Sequence, residues 1–227
     1  MDSVTELAQP PVGRTLDPWE LSRRMEAWAG EIRVNVIRIV AIVLFYGRHL
    51  VELLVTRNPD IGGMYHLRVT AEIIAWAGAA GVIHLLLVRR HYPPMMKYAT
   101  AMMDVLMITL LCAIAGGPQT PLVLLYFAAI ASAPLRLSLR LIYVTTAASI
   151  LGYLVLLAYY AWYRIGFHAY YANESVRIPR STEVIVVLAL LVTGLFAGQV
   201  VRQSRRMIER YPQLHGATEA AQEGAAK

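Results

Sequence analysis

Charge is scarce in this sequence and cysteine almost absent. Charged residues make up 16% of the 227 positions and hydrophobic residues 57%, whereas soluble domains average about 25% charged. Mean hydropathy is +0.49. The lone cysteine, Cys112, lies in an apolar run, which excludes a disulfide framework and a cysteine-based metal site. Glycine-rich phosphate loops, HExxH, GxSxG and paired-carboxylate motifs are all missing, so no catalytic activity is expected. Long polar stretches are missing too. Six spans of about 20 residues would use roughly 120 positions, and no leftover stretch has room for a soluble catalytic domain of ordinary size. The N-terminus, MDSVTELAQPPVGRTLDPWE, has no basic region followed by an apolar one, so no cleavable signal peptide is expected.

What remains is hydrocarbon-seeking helix. Apolar segments fall at about 34–55, 71–88, 98–115, 121–139, 141–163 and 184–201. They predict an all-α polytopic membrane protein with six transmembrane helices over 34–201, preceded by a tail (1–33) and followed by a basic, then disordered, tail (202–227). The second segment follows Thr70, a candidate N-cap, with Glu72 in its first turn. The fourth is the shortest. Its uniformly apolar part, LVLLYFAAIASAPL, spans only if RLSLR continues the helix, and Thr120-Pro121 gives it an N-cap hydroxyl and a first-turn proline. Residues 17–33 predict an N-terminal interfacial amphipathic helix. Asp17, Pro18 and Glu20 start it, Leu21, Met25, Trp28 and Ile32 line one face, and Glu31 falls elsewhere. Docking on the protein's own surface is the other reading of that helix.

Topology follows from the basic residues, 19 of 21 of which are arginine. Fourteen Lys and Arg fall in the tails and even-numbered loops and five in the odd ones. This places both termini in the cytoplasm of a bacterium, with the spans in its inner membrane. The charge sits at the ends of apolar runs and is not a nucleic-acid patch. Arg202, Arg205, Arg206 and Arg210 are candidates for contact with anionic lipid or a partner. Small residues four apart, such as Ala77/Gly81 and Gly194/Gly198, suit close helix packing. Gly194–Gly198 is the candidate homodimer face, with packing inside the bundle as the alternative.

Ionisable groups at membrane depth ask for an explanation. Arg48, His49 and Glu52 stand near the outer end of the first span, where they suggest an outer-leaflet ligand or quinone site. Arg48 and Glu52 can also simply pair, and His49 can face His66 or His168. Asp104 in the third span can relay protons or pair with Arg38 or Arg140. His49 and His84 lie at opposite depths and cannot share a haem, so haem is not expected. The span centres hold few polar groups, so transport is not expected either. The turn Gly116-Gly117-Pro118-Gln119-Thr120-Pro121 reverses the chain at the outer surface and is the most distinctive local feature.

Residues 103–157, MDVLMITLLCAIAGGPQTPLVLLYFAAIASAPLRLSLRLIYVTTAASILGYLVLL, resemble the membrane input domains of bacterial sensor histidine kinases. In many of these an Asp-containing third helix leads to a Gly-Gly-x-x-(Ser/Asn)-Pro-(Phe/Leu) turn, an apolar helix and a short basic loop. In the quinone-responsive redox kinases of this group the turn is associated with quinone sensing. Gly116, Gly117, Thr120, Pro121 and Leu122 occupy its positions here, with Thr120 and Leu122 where the quinone-sensing version has Asn and Phe. After its last span this chain runs through RQSRRMIER to Pro212 and Lys227 without a kinase-like sequence. The resemblance thus implies a non-catalytic sensor-like input module acting through a separate membrane or cytoplasmic partner, or as a homodimer, with quinone the one cofactor the turn suggests. The competing readings are an accessory subunit of a larger respiratory or photosynthetic complex, its aromatic outer loop packed on neighbours, and a membrane-bound quinone or haem binder.

Overall fold

The computed structural model describes residues 18–55, 62–89, 93, 95–166 and 179–225, with the side chains of Met25 and of Trp28 to Met207 within those ranges. The described residues form helices and turns without a strand. In order these are α1 (Pro18–Leu54), α2 (Gly63–Val88), α3 (Met96–Ile114), α4 (Leu124–Ser132), α5 (Leu139–Tyr159) and α6 (Arg180–Ala225). Short 3₁₀ turns at Gly117–Gln119, Pro121–Val123 and Ala133–Arg136 flank α4, and a π-helical turn, Tyr160–Arg164, ends α5. Five helical stretches are long and apolar enough to cross a membrane, and Pro121–Arg136 is a shorter apolar one. α5 sits centrally against α3, α4 and α6, while α1 packs on α2 and on the turn that ends α4.

Because hydrocarbon outside is as apolar as the protein inside, burial here is not sorted by hydropathy. Val36, Val40, Val43, Leu44, Leu195 and Phe196 are exposed where lipid would lie, and Glu31, Asn35 and Arg38 are buried. The deepest side chains include Tyr126, Ile130, Leu141, Ile142 and Leu190.

Several boundaries differ from the sequence expectation. Residues 17–33 are not a separate interfacial helix; from Pro18 onward they are the first part of α1, which runs unbroken to Leu54. Trp28 donates to the Leu87 carbonyl at 3.1 Å and Ile32 packs beside Leu87 and Met96, so this face docks on the bundle itself. α2 begins at Gly63, so Thr70 is no cap: its hydroxyl lies 3.2 Å from that of Tyr46, and Glu72 is buried mid-helix. RLSLR does not continue the fourth helix. Leu137 is left-handed (φ 48°) and Ser138 extended, which ends the helix at Arg136 and starts α5 at Leu139. The fourth segment gains reach another way, since seven of its sixteen residues are 3₁₀. The larger rise of that helix brings the segment to about 27 Å, close to the hydrocarbon thickness of about 30 Å. The C-terminal tail is not disordered either: α6 continues past Pro212 to Ala225, through Ala, Glu and Gln of high helix propensity.

The small-residue pairs mostly serve packing inside the bundle. Gly194 lies against Thr146 and Gly198 near the Tyr143 ring, so this stripe meets α5 and is not a free homodimer face. Gly30 faces the Leu135 carbonyl so closely that a Cβ would collide with backbone. Gly30→Ala should therefore cost about 1–3 kcal/mol of stability. Gly81→Ala, where nothing lies within 4 Å, should be neutral or stabilising. Unfolding of the two variants in detergent micelles, followed by circular dichroism, checks this contrast.

Candidate functional site: a charged interior

α1 carries Glu31, Asn35 and Arg38 at i, i+4 and i+7, one face of a helix. That face turns inward, and each polar group finds a partner on another helix. Arg38 grips Asp104 of α3 with both arms, Nε to Oδ1 at 2.6 Å and Nη2 to Oδ2 at 2.7 Å, and its Nη1 donates to Asn35 Oδ1 at 2.6 Å. Asn35 Nδ2 in turn donates to the Ala80 carbonyl of α2 at 3.2 Å. Trp76 Nε1 adds a longer bond to Asp104 Oδ1 at 3.3 Å. Such a fork-to-fork geometry is the strongest form of ion pair, and with Arg38 only 3% exposed it is shielded from screening by water.

Two turns nearer the N-terminus a second pair repeats the device. Glu31, fully buried, accepts from Thr100 Oγ1 at 2.9 Å and from Arg136 Nη2 at 2.9 Å. Arg136 Nε lies 2.8 Å from Oε2, an ionic contact whose N–H is not aimed well enough to count as a hydrogen bond. Arg136 Nη1 also reaches the Lys97 carbonyl at 3.5 Å, at the limit of a hydrogen bond. The close approach at Gly30 lets the backbone of α1 meet that of Leu135–Arg136, which sets this pair. The two pairs join α1 to α3 and to the end of α4, and each is internally neutral, as burial in a low-dielectric interior requires. Glu72 of α2 breaks the pattern: it is buried against the backbone of Leu111, and neither oxygen makes a hydrogen bond. The Thr145 and Ser149 hydroxyls of α5 are also buried without a hydrogen bond.

At the other end of the bundle, Arg48 and Glu52 pair along α1 at 2.6 Å with Arg48 71% exposed. His49 meets α2, its Nε2 3.0 Å from His66 Nδ1. The glycine turn packs elsewhere, on α3 and α5. Gly116 (φ 116°) and Gly117 (φ 83°) both need the left-handed freedom of glycine. Gly117 also lies against the Tyr160 ring, leaving no space for a side chain. Pro118 is buried and Gln119 exposed. Thr120 Oγ1 accepts from the Leu122 amide at 3.4 Å as the N-cap, with Pro121 behind it. Arg164 closes the turn by donating to the Ala113 carbonyl at 3.0 Å.

Residues 26–208 match the family model of the PilS-like transmembrane domain, a unit of six transmembrane segments. The chain belongs to this family. PilS is itself a membrane sensor histidine kinase, so the PilS-like bundle is of the sensor-input type, all-α and multi-pass. No curated protein and no solved structure matches the chain.

Of the four C-terminal arginines, two are engaged by the PilS-like bundle itself. Arg202 Nη2 donates to Tyr143 Oη at 2.7 Å, and Arg205 Nη2 caps the Leu137 carbonyl, at the break between α4 and α5, at 2.6 Å. Arg206 is exposed, and the Arg210 side chain lies outside the described residues, as does His168. Sequence reasoning had weighed the Arg38–Asp104 pair but missed Glu31, Asn35, Thr100, Trp76 and Arg136. Glu31, Asn35 and Arg38 were nonetheless detectable: three polar residues on one face of an otherwise apolar helix have nowhere to point but inward. The partner Arg136 left no such trace, because its position depends on the break at Leu137.

If the Arg38–Asp104 pair holds α1 in place, Arg38→Met or Asp104→Leu alone should each cost about 3–5 kcal/mol, because one charge is left stranded. The double variant should recover most of that loss. A double-mutant cycle from denaturant unfolding in micelles measures it, and losses that simply add would show that the two residues are not coupled.

Proposed function

We propose that this chain is the signal-input module of a membrane sensor and passes a change in the bundle to a partner through α6. Support comes from membership of the PilS-like family together with the path of α6. That helix runs without a break from Arg180, through its long apolar stretch, to Ala225. On the way it is fastened to Tyr143 of α5 by Arg202 and to the α4–α5 break by Arg205. Any displacement of the α4–α5 corner is then carried along a continuous rod. The excess of Lys and Arg in the tails and even-numbered loops favours a cytoplasmic side for that rod, in the inner membrane of a bacterium. In this reading the chain performs no catalysis itself, and the exposed Arg206 and the tail beyond it meet the partner or anionic lipid.

The finer reading concerns the stimulus. The left-handed Gly116-Gly117 turn, roofed by Tyr160, resembles the element associated with quinone in the redox-responsive kinases, with Thr120 and Leu122 in place of its Asn and Phe and Gln119 as its exposed amide. A quinone headgroup is the ligand class we assign to it. Haem plays no part in this reading.

Isolation from native membranes in mild detergent, followed by native mass spectrometry of the intact complex, tests the function. We expect a homodimer, or a complex with a soluble signalling protein. A stoichiometric set of respiratory or photosynthetic subunits would replace the sensor reading with that of an accessory subunit. For the turn, Gln119→Ala should weaken the response to an added ubiquinone analogue without changing abundance, whereas an unaltered response would remove quinone from the proposal.

A further inference from the structure

Glu31, Arg38, Asp104 and Arg136 neutralise one another in pairs. Glu72 has no such partner. It lies within the membrane-crossing stretch of α2, Gly63–Val88, and is only 8% exposed. Neither carboxyl oxygen makes a hydrogen bond. Val69, Ile73 and Trp76, its neighbours on α2, are buried in the same apolar core. Trp76 stands one turn further along and could offer an N–H, but it donates that group to Asp104 at 3.3 Å.

No positive charge is available to it among the described residues. α2 packs chiefly on α1 and α3. On α1, Arg38 is engaged by Asp104 and Asn35, Tyr46 by Thr70, His49 by His66, and Arg48 by Glu52. On α3, Glu72 meets the backbone of Leu111 and the buried thiol of Cys112, and Asp104 is already paired. Arg68, one turn before Glu72 on its own helix, is exposed and bonded to neither carboxyl oxygen. An ionised Glu72 would therefore leave the interior with an uncompensated negative charge, the costliest arrangement in a low-dielectric surrounding. As the neutral acid it costs only the burial of a polar group.

We propose that Glu72 is a proton-binding site inside the membrane, its carboxyl holding a proton at neutral pH while α2 and α3 are packed as they are here. Release forms a carboxylate and passes one proton to the aqueous phase; one O–H bond breaks and no redox partner is involved. The charge left behind has no partner between the two helices, so the bound proton favours their contact. Release requires that water or a cation reach the carboxylate, which in turn requires the contact to loosen. Proton occupancy and α2–α3 packing are thereby linked. This site stands independently of the sensor reading.

The test is infrared spectroscopy of the full chain in vesicles of ether-linked phospholipid, which has no ester carbonyl to obscure the signal. The carbonyl stretch of a protonated carboxyl is separate from the carboxylate bands. At neutral pH we expect one such band, lost in Glu72→Gln and kept in Glu52→Gln, whose carboxylate already pairs with Arg48. In the unaltered protein, glutamate labelled with carbon-13 should shift the band and labelled aspartate should not, which keeps the test valid even if a variant fails to fold. Raising the pH should diminish the band. Its absence at neutral pH, its survival in Glu72→Gln, or a shift with labelled aspartate would each overturn the proposal.

Discussion

An unpaired charge cannot be held cheaply in hydrocarbon, and the arrangement of this bundle follows from how α1 meets that constraint. Arg38 has one place to go, the Asp104 carboxylate, and the fork geometry fixes both the rotation of α1 and its height against α3. Once that face is set, Glu31 and Asn35 are turned inward with it. Asn35 is satisfied by a carbonyl of α2 and Glu31 by Arg136. Val36, Ile37, Val40, Val43 and Leu44 of α1 are left facing outward, where lipid accepts them at no cost. An apolar contact could be slid or rotated with little penalty; a bidentate ion pair cannot. The two pairs act on the register of α1 more than on net stability, since a well-packed apolar substitute can match a buried ion pair in energy.

The second organising feature is the shortness of α4. Sixteen residues between Pro121 and Arg136 must cover a distance that ordinary α-helix of that length would not. The 3₁₀ turns at both ends stretch the segment, and the left-handed Leu137 then reverses the chain into α5. Two arginines from different helices meet at this corner. Arg136 reaches inward to Glu31, while Arg205 of α6 caps the Leu137 carbonyl. The corner thus links α1, α4, α5 and α6 through these two side chains. That coupling is what a PilS-like input domain needs if its last helix is to report on the rest.

Helix content, the number of apolar segments, the glycine turn and the Thr120 cap could all be read from the chain alone, because each depends on residues within a few positions of one another. Hydropathy over a window of about 20 residues identifies a span whatever surrounds it. Two adjacent glycines before a Thr-Pro start mark a helix end and a helix beginning without reference to any neighbour. Arg38 and Asp104 could be weighed as a pair because charges at membrane depth are few and must be neutralised.

Other features required the assembled structure. Which face of each helix is buried cannot be taken from hydropathy when lipid and protein interior are equally apolar; hence Gly194 packing on Thr146 could not be told from a dimer face. The continuity of α1 depended on Trp28, Ile32 and Glu31 finding α2, α3 and Arg136. The backbone break at Leu137 was hidden in a pattern, RLSLR, that suits a helix equally well. The pairing of His49 with His66, one of the two histidines open to it in the sequence, was decided by helix rotation. That rotation was itself set 11 residues away by the grip of Arg38 on Asp104.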